Sequence, residues 1–475
     1  MHRPRRCGPA LSAPRGRLLA WIAAAFLLSG SSHGGGDAAW RHAVEQEAAS
    51  REATVAAGGA RMVRTGVRAS LPSRPDQAPR MLALAEPTSL PAPDWRTPPA
   101  GMSSLQPVSA GIAACPEPHD GLRFEPAQGF VFDAAEQATA MMDWINHLRC
   151  LGGVAPVARD TRIDAAADGH AAYSVEHGTN AHEQVPGRAA FTGVHPGDRI
   201  RAKRYVAATA GEVLSRTGPL AKDAYDGLVA AIYHRFVMLN PQFTDAGVSL
   251  RPAPDGMVVS VVEYGAPRAT GGQALVAYPI DGQREVPTSF NTDVEIPDPA
   301  PDLGTTGYPV SMQAERGATL AVERFSLHRA RDGEAVPARV QAGLGMPGTD
   351  VAHDAALGRH ESFLLPLSPL DPDTEYEVRF VAKLDGQPVQ RAWRFRTQPQ
   401  RPLAVAERER LPVGEWTRLK LSGCSARYWW SHSPGLELRL VTGNWMQIRG
   451  NQPGRALLEL RDGCGRSQRL ELRIG

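Results

Sequence analysis

The fold is decided by a stretch that opens at residues 133–153, DAAEQATAMMDWINHLRCLGG, and runs on to Gly265. Asp133 precedes Glu136 by three residues, which is the spacing of a helix N-cap and its reciprocal acidic partner. Apolar side chains then recur every three or four positions until two glycines end the pattern. The sequence therefore predicts a core helix with an apolar stripe made of Ala138, Met141, Met142, Ile145 and Leu148.

Further elements follow in the same stretch. A second helix is predicted to start near Asp160, with His170 on its small-residue face, and a third helical pattern runs from about Asp223 to an Asn-Pro stop. Two β-rich runs, 246–251 and 257–264, are joined by Ala-Pro-Asp-Gly and predict an antiparallel hairpin. Because helices come first and the hairpin last, the predicted class is α+β, with helices packed on an antiparallel sheet.

An ordered set of short motifs runs through this stretch. They are Asn146-His-Leu-Arg149, Gly152 to Pro156, Asp160, an Ala-rich helix with His170, His182, Asp198-Arg199, Ala210-Gly211-Glu212, Tyr233-His234-Arg235 and Leu239-Asn240-Pro241. No single motif is specific, but the ordered set resembles the CAP superfamily of cysteine-rich secretory, antigen 5 and pathogenesis-related proteins. It looks like the bacterial SCP-like branch of that superfamily.

The resemblance implies an α-β-α sandwich with a cleft that carries two His and two acidic residues. That cleft can bind a divalent cation in some members of the family. By match of motifs, His182, Glu212 and His234 are expected in the cleft. The second acidic position is open, because the matching helix positions hold no carboxylate, and Glu183 or Asp226 could substitute.

Two imidazoles and a carboxylate are a reasonable ligand set for a divalent metal such as zinc, with one position left for water. The same groups without metal could hold one another by hydrogen bonds in a solvated cleft. A metal-bound water could act as a nucleophile, but no His-Glu-x-x-His motif or nucleophile elbow supports that step. Whether the chain is an enzyme is therefore left open.

Other motif residues are interpreted as structural. Asn146 and Arg149 resemble family positions that tie the first helix to its neighbours. His170 is expected to be a hydrogen-bonded core histidine. Asp198 and Arg199 are expected to order their loop by an ion pair with each other.

Residues 1–31 have the pattern of a secretory signal peptide. Five arginines precede an apolar run from Leu18 to Leu28, and small residues follow it. The run is too short to span a bilayer comfortably. Because residues 1–31 carry five arginines and no other charge, removing them takes the formal charge from +2 to −3. The charge does not suggest a nucleic-acid partner.

Residues 32–120 become rich in proline and are predicted to form a mostly disordered tether. Cys7 is lost with the leader, and the cysteines that remain are Cys115, Cys150, Cys424 and Cys464. Three pairings exist, of which 115 with 150 and 424 with 464 keep each bond inside one predicted unit. Free buried thiols are the alternative, which an oxidising compartment disfavours.

Past the CAP-like stretch, predicted for residues 121–270, the pattern changes to short strands separated by turn residues. Around Tyr376, a Leu-x-Pro-x-Thr-x-Tyr motif followed by alternation resembles fibronectin type III and other Ig-like sandwiches, over residues 285–398. The Tyr376 hydroxyl is expected to make a corner hydrogen bond. A second, small Ig-like β domain is predicted over residues 402–475. The predicted fold class of the whole chain is therefore multidomain, with an α+β domain followed by two all-β domains.

Tyr428-Trp429-Trp430 is the aromatic cluster of the last unit. It could be a platform for sugar stacking, but a strand that contributes core aromatics is the favoured interpretation.

Three functions from different classes follow. The first is a secreted, extracellular or periplasmic SCP-like protein whose cleft binds an ion, a lipid or another cell-envelope ligand, and a carbohydrate is among the possible partners. The second is a metal-dependent hydrolase that uses His182, Glu212 and His234. The third is a structural or adhesive surface protein that acts through its β domains. The missing second acid weighs against the hydrolase.

Overall fold

The computed structural model describes residues 115–268, 275–344, 349–422, 428–441, 444–462 and 466–475, together with the backbone of Phe26–Leu28. The rest of the predicted leader, the predicted tether up to residue 114, and Cys424 and Cys464 lie outside the described residues. We call residues 115–268 the N-terminal unit, residues 275–398 the central β region and residues 402–475 the C-terminal unit.

The first two helices of the N-terminal unit begin where the sequence supplies caps. The Asp133 carboxylate accepts hydrogen bonds from the amides of Ala135 and Glu136, and Asp160 accepts one from Arg162. These caps confirm the first two predicted helix starts. The described helices are α1 (Ala134–Leu151), α2 (Thr161–His177), α3 (Pro196–Ala202), α4 (Ala221–Ala230) and α5 (Ile232–Met238).

The third predicted helix is wrong as a single element. Ala231 has ψ 123°, an extended conformation, so the chain breaks there into α4 and α5. The break frees the first amides of α5. Those of Ile232 and Tyr233 donate to the carboxylate of Glu295 in the central β region, so this carboxylate compensates for the lost helical bonds.

A five-stranded sheet lies between the helices, in the order β1-β5-β7-β6-β4. The predicted hairpin is confirmed as β6 and β7. Helices α1 and α4 pack on the face that carries Val213 and Val262, and α2 packs on the face of Leu214 and Val261. The unit is therefore an α-β-α sandwich. Its strands are β1 (Phe26–Leu28), β4 (Ala158–Arg159), β5 (Thr209–Thr217), β6 (Asp245–Pro252) and β7 (Val258–Ala266), and a separate hairpin is formed by β2 (Phe124–Glu125) and β3 (Gly129–Phe130).

The central β region contains a five-stranded sheet, β15-β14-β16-β12-β8, a four-stranded sheet, β13-β17-β18-β9, and a pair, β10-β11. The Tyr376 hydroxyl accepts a hydrogen bond from the Asp371 amide at 2.9 Å. The strands are β8 (Val276–Tyr278), β9 (Gln283–Val286), β10 (Ser289–Asn291), β11 (Thr305–Gly307), β12 (Val310–Gln313), β13 (Leu320–Arg329), β14 (Ala338–Ala342), β15 (Val351–His353), β16 (Glu361–Pro366), β17 (Glu375–Leu384) and β18 (Gln387–Thr397).

The C-terminal unit consists of two four-stranded sheets, β19-β21-β24-β23 and β20-β26-β25-β22. Their inward side chains, such as Leu419, Ile448 and Leu458, form one apolar core. The strands are β19 (Ala404–Ala406), β20 (Arg410–Leu411), β21 (Trp416–Leu421), β22 (Tyr428–His432), β23 (Leu436–Leu440), β24 (Trp445–Gly450), β25 (Gly454–Asp462) and β26 (Ser467–Ile474).

The three units contact one another. A single apolar core extends from the N-terminal unit into the central β region. The buried guanidinium of Arg235 crosses this junction, because it donates to the carbonyl of Pro309 and lies 4.8 Å from the centre of the Tyr278 ring. The first sheet of the C-terminal unit contacts the N-terminal unit through Gln447, which accepts a hydrogen bond from the Phe130 amide.

A disulfide joins Cys115 to Cys150, one of the pairs that the sequence suggested. It fastens the start of the described chain to the end of α1. Among the described residues, no helix is long and apolar enough to cross a membrane.

Candidate functional site

The centre of the candidate site is a contact between His182 and Glu212. Glu212 lies on β5 and His182 in the loop after α2, and the His182 Nδ1 is 2.7 Å from the Glu212 Oε1. Glu212 is fully buried and His182 is only 3% exposed. The structure therefore brings together two of the three side chains that the resemblance assigned to the cleft.

Arg199 links Glu212 to a second buried carboxylate. Its Nη2 donates to the Glu212 Oε2, and its Nε donates to the Glu263 Oε1 at 2.6 Å. Glu212 and Glu263 are directly opposite each other on β5 and β7. Two ionised carboxylates at such a position would repel each other, and Arg199 supplies the one cation that both groups contact.

The two carboxyl groups titrate differently because one cation serves both. Burial alone would raise the pKa of Glu212, but the Arg199 charge and the hydrogen bond with His182 together lower it. Burial raises the pKa of Glu263 to about 8, against the attraction of Arg199, and the neighbouring Glu212 carboxylate adds to the rise. The site therefore holds an ionised Glu212 beside a protonated Glu263 at neutral pH.

His170 extends the same arrangement on the α2 side. It is fully buried, its Nδ1 is 2.9 Å from the Gln184 amide nitrogen, and its Nε2 is 3.6 Å from the Glu212 Oε1. Burial lowers the pKa of His170 to about 4 and also lowers the pKa of His182. Both rings are thus neutral at physiological pH.

His234 lies near His182 but faces a different carboxylate. The two ring centres are 6.3 Å apart, and the His234 Nδ1 is 3.3 Å from the Glu295 Oε1. Glu295 follows a 3-10 turn, Thr292–Val294, of the central β region and is fully buried. The acidic group beside the last cleft histidine is therefore supplied by a segment outside the N-terminal unit. We call His170, His182, Arg199, Glu212, His234, Glu263 and Glu295 the cleft network.

The proposed second acids do not reach this place. Glu183 is 3.5 Å from His195 and 60% exposed, and Asp226 pairs with Lys222 one helical turn away. The sequence offered no local signal for Glu295, because it lies 61 residues beyond His234. Its role appears only once the central β region packs on α5.

The central β region also covers the site with apolar side chains. Ile232, Tyr233 and Phe236 of α5 pack against Phe290 and Phe363. His234 and Glu212 are fully buried as a result. The expectation of a solvated cleft is therefore wrong for this structure, because a neighbouring unit closes it.

The donor set does not fit a zinc ion. Both oxygens of Glu212 are engaged, one by His182 and the other by Arg199, so metal binding would have to release one of them. Within the ranges that the structure describes, no group of three or more His, Cys, Asp or Glu side chains could hold a metal ion. We derive no catalytic step through a metal.

The residues interpreted as structural have extensive contacts. Asn146 exchanges two hydrogen bonds with the backbone of Val157. Arg149 is fully buried, and burial lowers its pKa to about 10. Its guanidinium donates to the carbonyls of Ala155, Met238, Asn240 and Phe243.

The expected Asp198–Arg199 ion pair is wrong. Residues 196–202 form α3, so Asp198 and Arg201, three positions apart, pair on its exposed side at 3.1 Å. Arg199 then points to the opposite side, toward the sheet. The Pro-Gly start of this helix was a signal that could have predicted the direction of Arg199.

The aromatic cluster of the C-terminal unit divides in the structure. Tyr428 is buried in the core, but Trp429 is 57% exposed and Trp430 is 38% exposed. The favoured interpretation of all three as core aromatics is therefore wrong for the two tryptophans. They lie on β22, the edge strand of its sheet, where only Tyr428 reaches the core.

Comparisons with known proteins place a family match on the N-terminal unit. Residues 142–264 match the family model described as CAP: Cysteine-rich secretory protein family. No curated protein matches this chain.

Three solved structures are similar to parts of the chain. An extracellular SCP-domain protein from Bacillus anthracis has 21% identity and a TM-score of 0.25, over 28% of this chain and 41% of that protein. An outer surface protein from Borrelia burgdorferi has 18% identity and a TM-score of 0.26, over 29% of this chain and 96% of that protein. The fibronectin(III)-like modules of Clostridium thermocellum CbhA have 9% identity and a TM-score of 0.17, over 42% of this chain and 93% of the modules.

Proposed function

Because residues 142–264 form a CAP domain, we propose that the chain is an exported, non-enzymatic protein that binds a lipid or carbohydrate component of the cell envelope. In this proposal the CAP cleft is a sealed polar joint between the CAP domain and the central β region. The binding role rests on the family match, and the observation that carries the joint is Glu295, which enters the cleft from the central β region and contacts His234 and the start of α5.

Burial of the cleft network supports a joint rather than a reaction centre. A hydrolytic site needs room for water and substrate beside its catalytic groups. His182, Glu212 and His234 are between 0% and 3% exposed, and the Glu212 carboxylate already has two partners. Neither a metal-dependent hydrolase nor a structural protein that acts only through its β domains is favoured.

Export is supported by two independent features. The basic and apolar pattern of residues 1–31 is typical of a leader for secretion, and removal of that leader takes β1 from the sheet and leaves β5, β7, β6 and β4. The Cys115–Cys150 disulfide fits an oxidising compartment, because such bonds are rare in the reducing cytosol. An extracellular or periplasmic location follows from the proposal.

The joint is tested by Glu295→Gln. This change removes the charge that accepts two amide hydrogen bonds, and charge-assisted bonds of this kind contribute about 1.5–3 kcal/mol. We expect the free energy of unfolding to fall by about 1–3 kcal/mol. We also expect faster hydrogen exchange of the amides of Ile232–Met238, measured by mass spectrometry. Asp293→Asn is the matched control, since Asp293 is exposed in the turn just before Glu295 and its change should alter neither quantity.

Calorimetric titration with Zn²⁺ tests the other half of the proposal. A sealed joint gives no binding heat in the native protein. Saturable heat that disappears in a His182→Ala and His234→Ala double variant would show an open metal site and would overturn the proposal.

A further inference from the structure

One sheet of the C-terminal unit has an outer face that is rich in arginine. The sheet is β20-β26-β25-β22, and its inward side chains, such as Leu458 and Leu472, belong to the core of the unit. Alternate residues of each strand point outward and are exposed. We call this the basic face, made of Arg410, Trp429, Ser431, Arg455, Leu457, Glu459, Arg461, Ser467, Arg469, Glu471 and Arg473.

Three arginines form a row at one end of the basic face. Arg473 on β26 is directly opposite Arg455 on β25 and also beside Arg410 on β20. Like charges directly opposite each other on neighbouring strands destabilise a sheet. None of the three forms an ion pair with any residue that the structure describes. This row therefore has a cost to stability and no compensating partner within the described chain.

The other end of the basic face adds an aromatic ring to the charge. Trp429 on β22 is directly opposite Arg461 on β25, and neither side chain is buried. Arg461 is six residues from Arg455 on the same strand, or about 20 Å at the rise of a β-strand. The face thus presents positive charge at both ends of an open surface.

Charge is concentrated in this unit. Residues 402–475 contain twelve Arg or Lys and seven Asp or Glu, a net charge of +5. The whole chain without residues 1–31 carries −3, so the remainder is acidic. On the basic face itself, five arginines stand against two glutamates. This segregation marks the face as the part of the protein that attracts an anionic partner.

We propose that the basic face binds an acidic polysaccharide. Arg455, Arg473 and Arg410 would bind its carboxylate or sulfate groups through their guanidinium forks, and the Trp429 ring would pack against a sugar ring. Binding of an anionic polymer by these side chains does not involve the cleft network. Only the choice of a polysaccharide over nucleic acid rests on the proposed extracellular function.

An anionic membrane fits the face less well. Insertion into the interface of a bilayer needs several exposed apolar groups on one surface. The basic face offers Trp429, and its other apolar side chain, Leu457, is half-buried. An extended charged polymer therefore matches this polar surface better than a bilayer does.

The test measures binding of the full secreted chain to polygalacturonate and heparin, with neutral dextran as the uncharged probe. We expect binding to both acidic polymers, none to dextran, and a steep loss of affinity as salt rises, because bound counterions are released. An Arg455→Ser and Arg473→Ser double variant should bind at least about tenfold more weakly. Trp429→Ala should weaken binding by about tenfold with an unchanged salt slope.

The matched control is an Arg188→Ser and Arg284→Ser double variant. Both of these arginines are exposed in other units, so the charge change is the same, and binding should not change. Equal binding by the Arg455→Ser and Arg473→Ser variant and the native chain would overturn the proposal. So would binding of double-stranded DNA or phosphatidylglycerol vesicles as tight as that of the acidic polysaccharides. Because the cleft is intact in all these variants, hydrogen exchange of α5 separates failure here from failure of the proposed joint.

Discussion

The cleft network and the basic face treat charge in opposite ways. In the cleft network, three carboxyl groups and one guanidinium are fully buried, and each makes hydrogen bonds with another member. On the basic face, five guanidiniums are exposed, and within the described chain none has an ionic partner. The charged groups of the cleft network are therefore paired within the protein, whereas the arginines of the basic face are in contact with solvent.

This difference predicts that charge in the cleft network serves stability and that charge on the basic face serves binding. A buried charge destabilises the protein unless its partners are in place, so its substitution affects folding first. An exposed, unpaired charge contributes little to folding and is available to a ligand. The resemblance to a family with a functional cleft directs attention to the first region, whereas the second region carries five exposed arginines without ionic partners among the described residues.

The largest expected effect comes from removing the cation of the cleft network. Arg199→Met leaves the ionised Glu212 carboxylate buried without a counter-charge, so we expect the free energy of unfolding to fall by about 3–5 kcal/mol. Chemical denaturation followed by circular dichroism measures it. Arg201→Met, two residues along α3, removes an arginine that is 70% exposed and should change stability by less than about 0.5 kcal/mol.

Equal effects of the two substitutions would contradict the comparison. That result would mean that the buried Arg199 contributes no more to the free energy of unfolding than the exposed Arg201 does. Double substitution of Glu212 and Glu263 by Gln in the Arg199→Met background should recover part of the loss, because it removes the uncompensated charge of Glu212.

A smaller effect is expected from the proton on Glu263. The folded protein holds this proton up to about pH 8, whereas the unfolded chain releases it near the ordinary pKa of 4.5. A raised pKa means that the stabilisation is complete below pH 4.5 and is lost as pH rises toward 8. Glu263→Gln mimics the protonated form and keeps the Arg199 hydrogen bond. We therefore expect the variant, relative to the native protein, to gain about 3–4 kcal/mol of stability between pH 5 and pH 8.

Urea unfolding of both proteins at the two pH values measures this gain. The lowered pKa values of His170 and His182 have the opposite sign, since their stabilisation is lost as pH falls below 6.5. Both proteins share that contribution, so it cancels in the difference. A difference that does not change with pH would show that Glu263 is ionised throughout.

Local sequence signals predicted the parts of the fold that depend on neighbouring residues. Asp133 and Asp160 marked helix starts correctly because a cap acts within three residues. The β6–β7 hairpin was predicted for the same reason, since a short turn joins its two strands. The break at Ala231 was missed, because it depends on a carboxylate 64 residues away.

The site was predicted only in its local members. His182, Glu212 and His234 came from short motifs, whereas Arg199 and Glu263 meet Glu212 only after α3 packs on the sheet. Glu295 has no motif, because its position is set by the packing of the central β region on α5. The sequence predicted a β domain over residues 402–475, but the arginine row depends on the register between strands, which a single strand does not specify.

The smallest expected effect on stability belongs to the arginine row of the basic face. Arg455 and Arg473 are opposite each other with no ionic partner in the described chain, so replacing both by Ser relieves repulsion and removes little packing. We expect the free energy of unfolding to rise by a few tenths of a kcal/mol, or about 0.2–0.5 kcal/mol, at low salt. The gain should vanish near 1 M salt, where charge repulsion is screened. A loss of 1 kcal/mol or more would show that these arginines stabilise the sheet, and the row would then belong with the cleft network as a structural feature. A gain in stability together with a loss of polysaccharide binding would instead show that the sheet retains unfavourable charges because a ligand uses them.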